Sequence, residues 1–284
     1  MKKTVLITGT SGGLGKAAAR LFANKSWNVV ATMRRPDLEQ DLVRLNDLLV
    51  TRLDVQDRAS IAKAVEIGIA HFGRIDALIN NAGFGLYGPF EATPREKVQE
   101  QFDVNVFGVM DVIRGILPHF RNNKSGLIIN ISSGAGVFTL PMLSLYCASK
   151  FALEGFSESL SYELASLNII VKIVDPGGVI STNFGKRSSD EATHNIPLAD
   201  YDAFVAGANA LFADLRTQRL ATEQDVAQVI FGAATDGTTR LRYVATDDIL
   251  PLVKARRETS EEEYMEFMRS RFQPKLDSGE ADRL

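Results

Sequence analysis

Tyr146 and Lys150 stand four residues apart, a spacing that on a helix places a phenol and an ammonium side by side on one face. Ser133 lies thirteen residues before the tyrosine, next to Ser132, and Asn105 sits further upstream between Val104 and Val106. Carbonyl reduction needs hydride from one side and a proton on the developing alkoxide from the other, and the Tyr146 hydroxyl can exchange that proton. A free phenol ionises near pKa ~10, so bringing its phenolate into range near neutrality takes about 3 to 4 kcal/mol of stabilisation, of the kind a close ammonium supplies. Lys150 is the candidate ammonium. A serine hydroxyl at the end of the preceding strand would hold the substrate oxygen where charge accumulates. Asn105, a poor helix former in an apolar mid-helix setting, suggests a special role such as ordering a proton-relay water near Lys150, or else a buried, satisfied amide.

A second group stands near the N-terminus, where Thr8-Gly9-Thr10-Ser11-Gly12-Gly13-Leu14-Gly15 follows an apolar run and opens a helical stripe. Glycines there let the backbone approach a pyrophosphate, and the positive end of the following helix attracts the anion. About twenty residues beyond the loop, an acidic side chain would hold the free ribose 2′-hydroxyl of NAD. This chain has Met33-Arg34-Arg35 instead. A guanidinium offers paired donors to a phosphate, so Arg34 points to the 2′-phosphate of NADP rather than to NAD.

Elements that would position these groups follow from periodicity. Strands are expected at Thr4–Thr8, Asn28–Met33, Leu48–Leu53, Ala77–Asn80, Gly126–Ser132, Ile169–Asp175 and Leu241–Ala245, several of them near-continuous apolar runs, as in strands covered on both faces. Helical stripes run through Leu14, Ala18, Leu21 and Phe22, through Phe102, Val109, Ile113, Ile116 and Phe120, and through Leu153, Phe156, Leu160, Leu164 and Leu167. Alternation of strand and helix implies an α/β fold with a doubly wound parallel sheet. Residues 185–222 break the rhythm and read as an excursion over the site. Glu258–Phe272, acidic early and basic late, reads as a solvated surface helix.

The ordered set of glycine loop, Asn80-Asn81-Ala82-Gly83, Ser133, Tyr146-x-x-x-Lys150 and Pro176-Gly177 resembles the short-chain dehydrogenase/reductase family over about residues 3–250. The resemblance implies a Rossmann-type sheet of about seven strands in one domain spanning residues 1–250, with residues 185–222 as a substrate lid and 251–284 as a charged helical extension. It implies that Asn105, Ser133, Tyr146 and Lys150 form the catalytic tetrad, with Ser133 chosen over Ser132 by spacing. It also implies a nicotinamide nucleotide held by Gly9, Thr10, Ser11, Gly13, Leu14, Gly15, Asp54, Val55, Asn81, Ala82, Gly83, Pro176, Gly177 and Val179, together with Tyr146 and Lys150. The loop after Gly178 is one residue longer than the family pattern, and of Ser181 and Thr182 the latter is the choice for the nicotinamide carboxamide. The sequence looks similar to bacterial relatives of retinol and hydroxysteroid dehydrogenases, and such relatives are commonly homodimers or homotetramers. Two other readings stay open: a non-catalytic NADP-binding redox sensor, and an epimerase or dehydratase that retains its NADP.

Composition narrows the partners. A net charge of −3 with scattered Lys and Arg gives no stripe for nucleic acid. One cysteine, Cys147, and three separated histidines, His71, His119 and His194, suggest no disulfide and no metal. The N-terminal apolar run is too short for a signal core and no stretch is long enough for a membrane span, so a soluble cytoplasmic protein is expected. Segments expected over the nicotinamide carry Phe84, Leu86, Val137, Phe138, Leu140, Met142 and Phe184, which points to a bulky apolar carbonyl or alcohol, half of these residues counting equally well as core.

Overall fold

Successive residues of a strand face opposite sides of a sheet, and the first strand, β1 (Thr4–Thr8), is apolar on both: Val5 and Ile7 enter one helical layer and Leu6 the other. The same holds across β2 (Asn28–Met33), β4 (Ala77–Asn80), β5 (Gly126–Ile131) and β6 (Ile169–Asp175), with β3 (Leu48–Arg52) and β7 (Arg242–Val244) at the edges. All seven strands pair in parallel, in the order β3-β2-β1-β4-β5-β6-β7. The expected strands are all present, with the ends of β3, β5 and β7 trimmed by one residue. A computed structural model describes residues 2–179, 184–215, 217 and 220–274.

Two helical layers cover the sheet. On one face, α1 (Gly13–Asn24) and α8 (Glu223–Thr235) bury Ala18, Ala19, Phe22, Val226 and Ile230 against β1, β2 and β5. On the other, α2 (Arg58–Phe72), α4 (Val109–Asn122) and α5 (Ser144–Ala165) bury Ile61, Val112, Ile113, Ile116, Leu153 and Leu160. Each large apolar side chain so buried contributes about 1.5 to 3 kcal/mol. Strand order reverses between β1 and β4, and in open parallel sheets the crevice beyond the strand ends at such a reversal is where ligands bind.

The long helical stripe ending at Phe120 is three pieces in one rod: α3 (Arg95–Phe102), a π turn at Asp103–Gly108, and α4. One residue inserted into the regular ladder makes such a turn, and periodicity cannot register it because the stripe resumes on the same face. Asn105 lies within it.

The excursion contains α6 (Phe184–Ala192) and α7 (Asp202–Leu215). It rests on α3 and on the loop after β4: Lys97 of α3 pairs with Glu191 at 2.8 Å, Arg187 stacks on the Phe84 ring at 4.2 Å, and Tyr87 donates to Asn209 Oδ1 at 2.8 Å. The charged C-terminal segment departs from expectation. It is two helices, α9 (Leu250–Glu258) and α10 (Glu261–Phe272), because Ser260 and Glu263 form a capping box that starts a new helix. Nor is α10 merely a solvated surface helix: Tyr264, Met268 and Phe272, one turn apart, are buried against Val137, Phe138, Ile249, Leu252 and Val253. Three apolar residues among many charges were too few to dominate the pattern, yet they define the buried face. No helix among the described residues is long and apolar enough to cross a membrane.

Candidate active site

At the end of β1 the chain enters the glycine loop. Gly9 has φ +73°, and a Cβ there would stand 2.9 Å from Ala82 Cα, so glycine is required twice over. A side chain on Gly15 would collide with Asn81 Nδ2 and with the Gly9 carbonyl. Asn81 is what holds the loop in place, donating through Nδ2 to the Thr8 and Gly9 carbonyls at 3.0 and 3.1 Å. Thr8 Oγ1 in turn accepts from the Asn81 and Ala82 N–H groups at 3.0 and 3.1 Å. Thr10 donates through both its N–H and its hydroxyl to the Thr32 carbonyl, at 3.0 and 3.1 Å, which ties the loop to β2. Ser11 is exposed, and Leu14 leans on the core. Helix α1 begins at Gly13 behind Gly12 with no side-chain cap and no acid in its first turn. Its positive end is therefore open to an anion.

Arg34 is exposed at the end of β2. Arg187 of α6 comes near it, and burial, joined by the charge of Arg34, lowers the Arg187 guanidinium below its ordinary pKa. After β3, the cap of α2 is Asp57, whose Oδ1 accepts from Ala59 and Ser60 at 3.0 and 3.1 Å. Asp54 is thus relieved of capping; its Oδ1 accepts from Gln56 N at 3.1 Å, while Val55 is buried against Gly108. After β6, the Pro176 carbonyl accepts from Gly134 N at 2.8 Å, Gly177 N donates to Thr246 Oγ1 at 2.9 Å, and Gly178 N to Asp248 Oδ2 at 2.8 Å. Val179 bridges to Ala221. Thr182, with Ser181, lies outside the described residues.

Helix α5 carries Tyr146 and Lys150 on one face, both buried, with the Lys150 Nζ 5.7 Å from the centre of the Tyr146 ring. Lys150 donates to the Ile131 carbonyl, at the end of β5, at 2.9 Å. The next turn of chain brings the Ser133 hydroxyl close enough to act on the phenol, and Ser133 Oγ accepts from Ala135 N at 3.1 Å. Ser132, by contrast, is buried on the far side with its hydroxyl unpartnered among the described residues. Strand β5 and helix α5 therefore bring Ser133, Tyr146 and Lys150 together.

Electrostatics differ from the sequence expectation. Burial raises the Tyr146 phenol above its ordinary pKa against the lowering effect of the Ser133 hydrogen bond. Burial also brings Lys150 down to about 8, with Glu154 and Asp175 opposing. Lys150 was expected to lower the phenol; in the chain alone, taking each group out of water disfavours its charged form.

Asn105 is fully engaged. Its Oδ1 accepts from Phe84 N at 3.0 Å, and its Nδ2 donates to the Phe84 carbonyl at 2.7 Å and to Ser149 Oγ at 3.1 Å. With both amide protons taken by protein, the side chain is a satisfied, buried amide. Gly83 lies between it and Lys150: a Cβ there would be 3.2 Å from Asn105 Oδ1 and 3.9 Å from Lys150 Nζ. Sequence reasoning missed Ser149, Thr246 and Asp248, which orient site loops through ordinary hydroxyl and carboxylate bonds that no motif marks. Val137 and Phe138, expected over the nicotinamide, face the C-terminal helices instead.

The family profile for short chain dehydrogenase matches residues 3–192. An uncharacterized oxidoreductase of Schizosaccharomyces pombe is 42% identical over 220 residues, covering 77% of this chain and 90% of that protein. Retinol dehydrogenase 8 of Bos taurus is 32% identical over 267 residues, 88% of this chain and 84% of that one. A solved short-chain dehydrogenase from Streptomyces avermitilis matches with a TM-score of 0.80 at 30% identity, covering 95% of this chain and 97% of its own. With the profile spanning most of the sheet and both relatives aligned over more than three quarters of its length, this chain belongs to the short chain dehydrogenase family of oxidoreductases.

Proposed function

We propose that this protein is an NADP(H)-dependent oxidoreductase that interconverts a bulky apolar carbonyl compound and its alcohol, with Tyr146 as the general acid and base. The observation that carries the reading is the placing of Tyr146 and Lys150, buried on one face of α5, beside Ser133 at the end of β5. The residues present suit a nicotinamide nucleotide: the open N-terminus of α1 suits its pyrophosphate, and Arg34, with no acid in its place, suits a 2′-phosphate. When bound, the nicotinamide supplies or accepts the hydride.

The protein's own groups handle the proton. In reduction, the Tyr146 phenol, kept protonated by burial, gives its proton to the substrate oxygen while the Ser133 hydroxyl donates a hydrogen bond to the same atom. In oxidation the phenolate must form, and the Lys150 ammonium favours it. Phe84, Leu86 and Met142 are buried around the site, and the similarity to a retinol dehydrogenase supports an apolar substrate. A panel of long-chain, polycyclic and short polar carbonyls and alcohols, followed by nicotinamide absorbance with both nucleotides, tests the reading. Turnover is expected with NADPH or NADP and apolar substrates; equal efficiency on short sugars, or no turnover at all, refutes it.

A further inference from the structure

Behind Lys150, on the side away from Ser133, carboxyl groups collect where α5, β6 and β7 meet. Glu154 follows Lys150 by one helical turn, and Asp175 closes β6; their relative exposures are 6% and 0%. Arg242 of β7 donates through Nε to Glu154 Oε2 at 2.8 Å and through Nη2 to Glu158 Oε2. Glu154 Oε1, both Asp175 oxygens and the Ser132 hydroxyl are buried with no donor or acceptor among the described residues. Ser132 and Glu154 meet over Gly136, where a Cβ would stand 2.8 Å from Ser132 Oγ and 3.0 Å from Glu154 Cγ. In the β6–β7 register Ile173 pairs with Arg242 and Asp175 with Val244, so Asp175 shares the face of β6 that lies beside Arg242, the partner of Glu154, and its carboxyl interacts with that of Glu154.

Two carboxylates brought together in a buried site repel each other, and their inner oxygens find no donor among the described residues. One proton resolves both problems, turning the contact into an O–H···O⁻ hydrogen bond. We propose that Asp175 and Glu154 share one proton, and that this pair, anchored by Arg242, is a positioning unit that sets the charge of Lys150.

The proton resides mainly on Asp175, because Glu154 is the member bonded to Arg242. Burial and the neighbouring Glu154 hold the Asp175 carboxyl well above its ordinary value, with the Arg257 and Arg242 charges opposing. The charged and titratable groups facing the pair are Lys150 and Glu158 of α5, Arg242 of β7 and Arg257 of α9; Tyr146 lies beyond Lys150. With one proton the pair presents a single negative charge to the Lys150 ammonium and so favours its charged form. Neither touches substrate; they act through Lys150, so the second half of the proposal rests on the role of Lys150 proposed above.

Infrared spectroscopy of the wild-type chain at pH 7, without nucleotide, tests the shared proton. A carboxylic C=O stretching band that shifts in deuterated water is expected, and Asp175→Asn should abolish it. In Glu154→Gln the band should persist at higher frequency, since an amide oxygen is the weaker acceptor. No such band in the wild type, or one that survives Asp175→Asn, overturns the shared proton whether or not the chain turns over any carbonyl. If Asp175→Asn does not fold, the Glu154→Gln spectrum decides, an unmoved band overturning the pairing. The positioning role is read from the pH profile of alcohol oxidation. Glu154→Gln should move the limb that Lys150→Ala removes downward by about one pH unit, and an unmoved limb overturns that role.

Discussion

Asn105 Nδ2 donates to Ser149 Oγ at 3.1 Å, joining the π turn to the helix that carries Tyr146 and Lys150. Ser149 passes the link on, its hydroxyl donating to the Tyr146 carbonyl at 2.8 Å. Asn105→Ala leaves the Phe84 N–H, the Phe84 carbonyl and Ser149 short of a partner, and should lower unfolding free energy by about 2 to 4 kcal/mol. Ser149→Ala should cost about 1 to 2 kcal/mol. A double-mutant cycle read by denaturant unfolding should show the pair coupled, and strictly additive losses would show that the bond carries no stability.

Tyr146→Phe preserves the ring and its packing, so fold and nucleotide affinity should survive while kcat falls by about 10² to 10⁴-fold. Ser133→Ala should cost about 10² to 10³-fold. Wild-type alcohol oxidation should speed up with rising pH as the phenol ionises, and the phenylalanine variant should lose that limb. Retention of most of the wild-type kcat by Tyr146→Phe would mean that the proton comes from another group.

Arg34→Asp places a carboxylate where a 2′-phosphate would bring about −1.5 to −2 charge, and should invert the nucleotide preference toward NADH. Comparison of kcat/KM for the two nucleotides in both proteins measures it. A wild type that prefers NADH would remove Arg34 from the phosphate site.

His119 links α4 to the loop before β4, its Nε2 accepting from Ile75 N at 3.1 Å. Burial lowers its pKa below the ordinary 6.5, so the folded state holds the neutral ring. A pKa depressed on folding gives stability that is complete above the unfolded value and is lost as pH falls below it. Urea unfolding from pH 7.5 to 5 should therefore show a steeper loss for wild type than for His119→Gln; parallel curves would rule out a titrating His119.

Much of the fold was legible because it depends on short-range pattern. Seven apolar runs spaced by helical stripes specify a parallel α/β sheet, Gly9 marks a turn that favours glycine, and Gly15 marks a close approach that leaves no room for a side chain. Tyr146 and Lys150 share a face because helix geometry alone dictates it. What sequence could not reach are quantities set by partners far along the chain. The side-chain partners of Asn105 are Phe84 and Ser149, and that of Thr10 is Thr32, all of them distant in sequence. The buried face of α10 needed Val137 and Phe138 opposite it. The direction of the Tyr146 shift and the burial of Asp175 and Glu154 were decided by the packed layers around them, which no local spacing encodes because desolvation is a property of everything that surrounds a group.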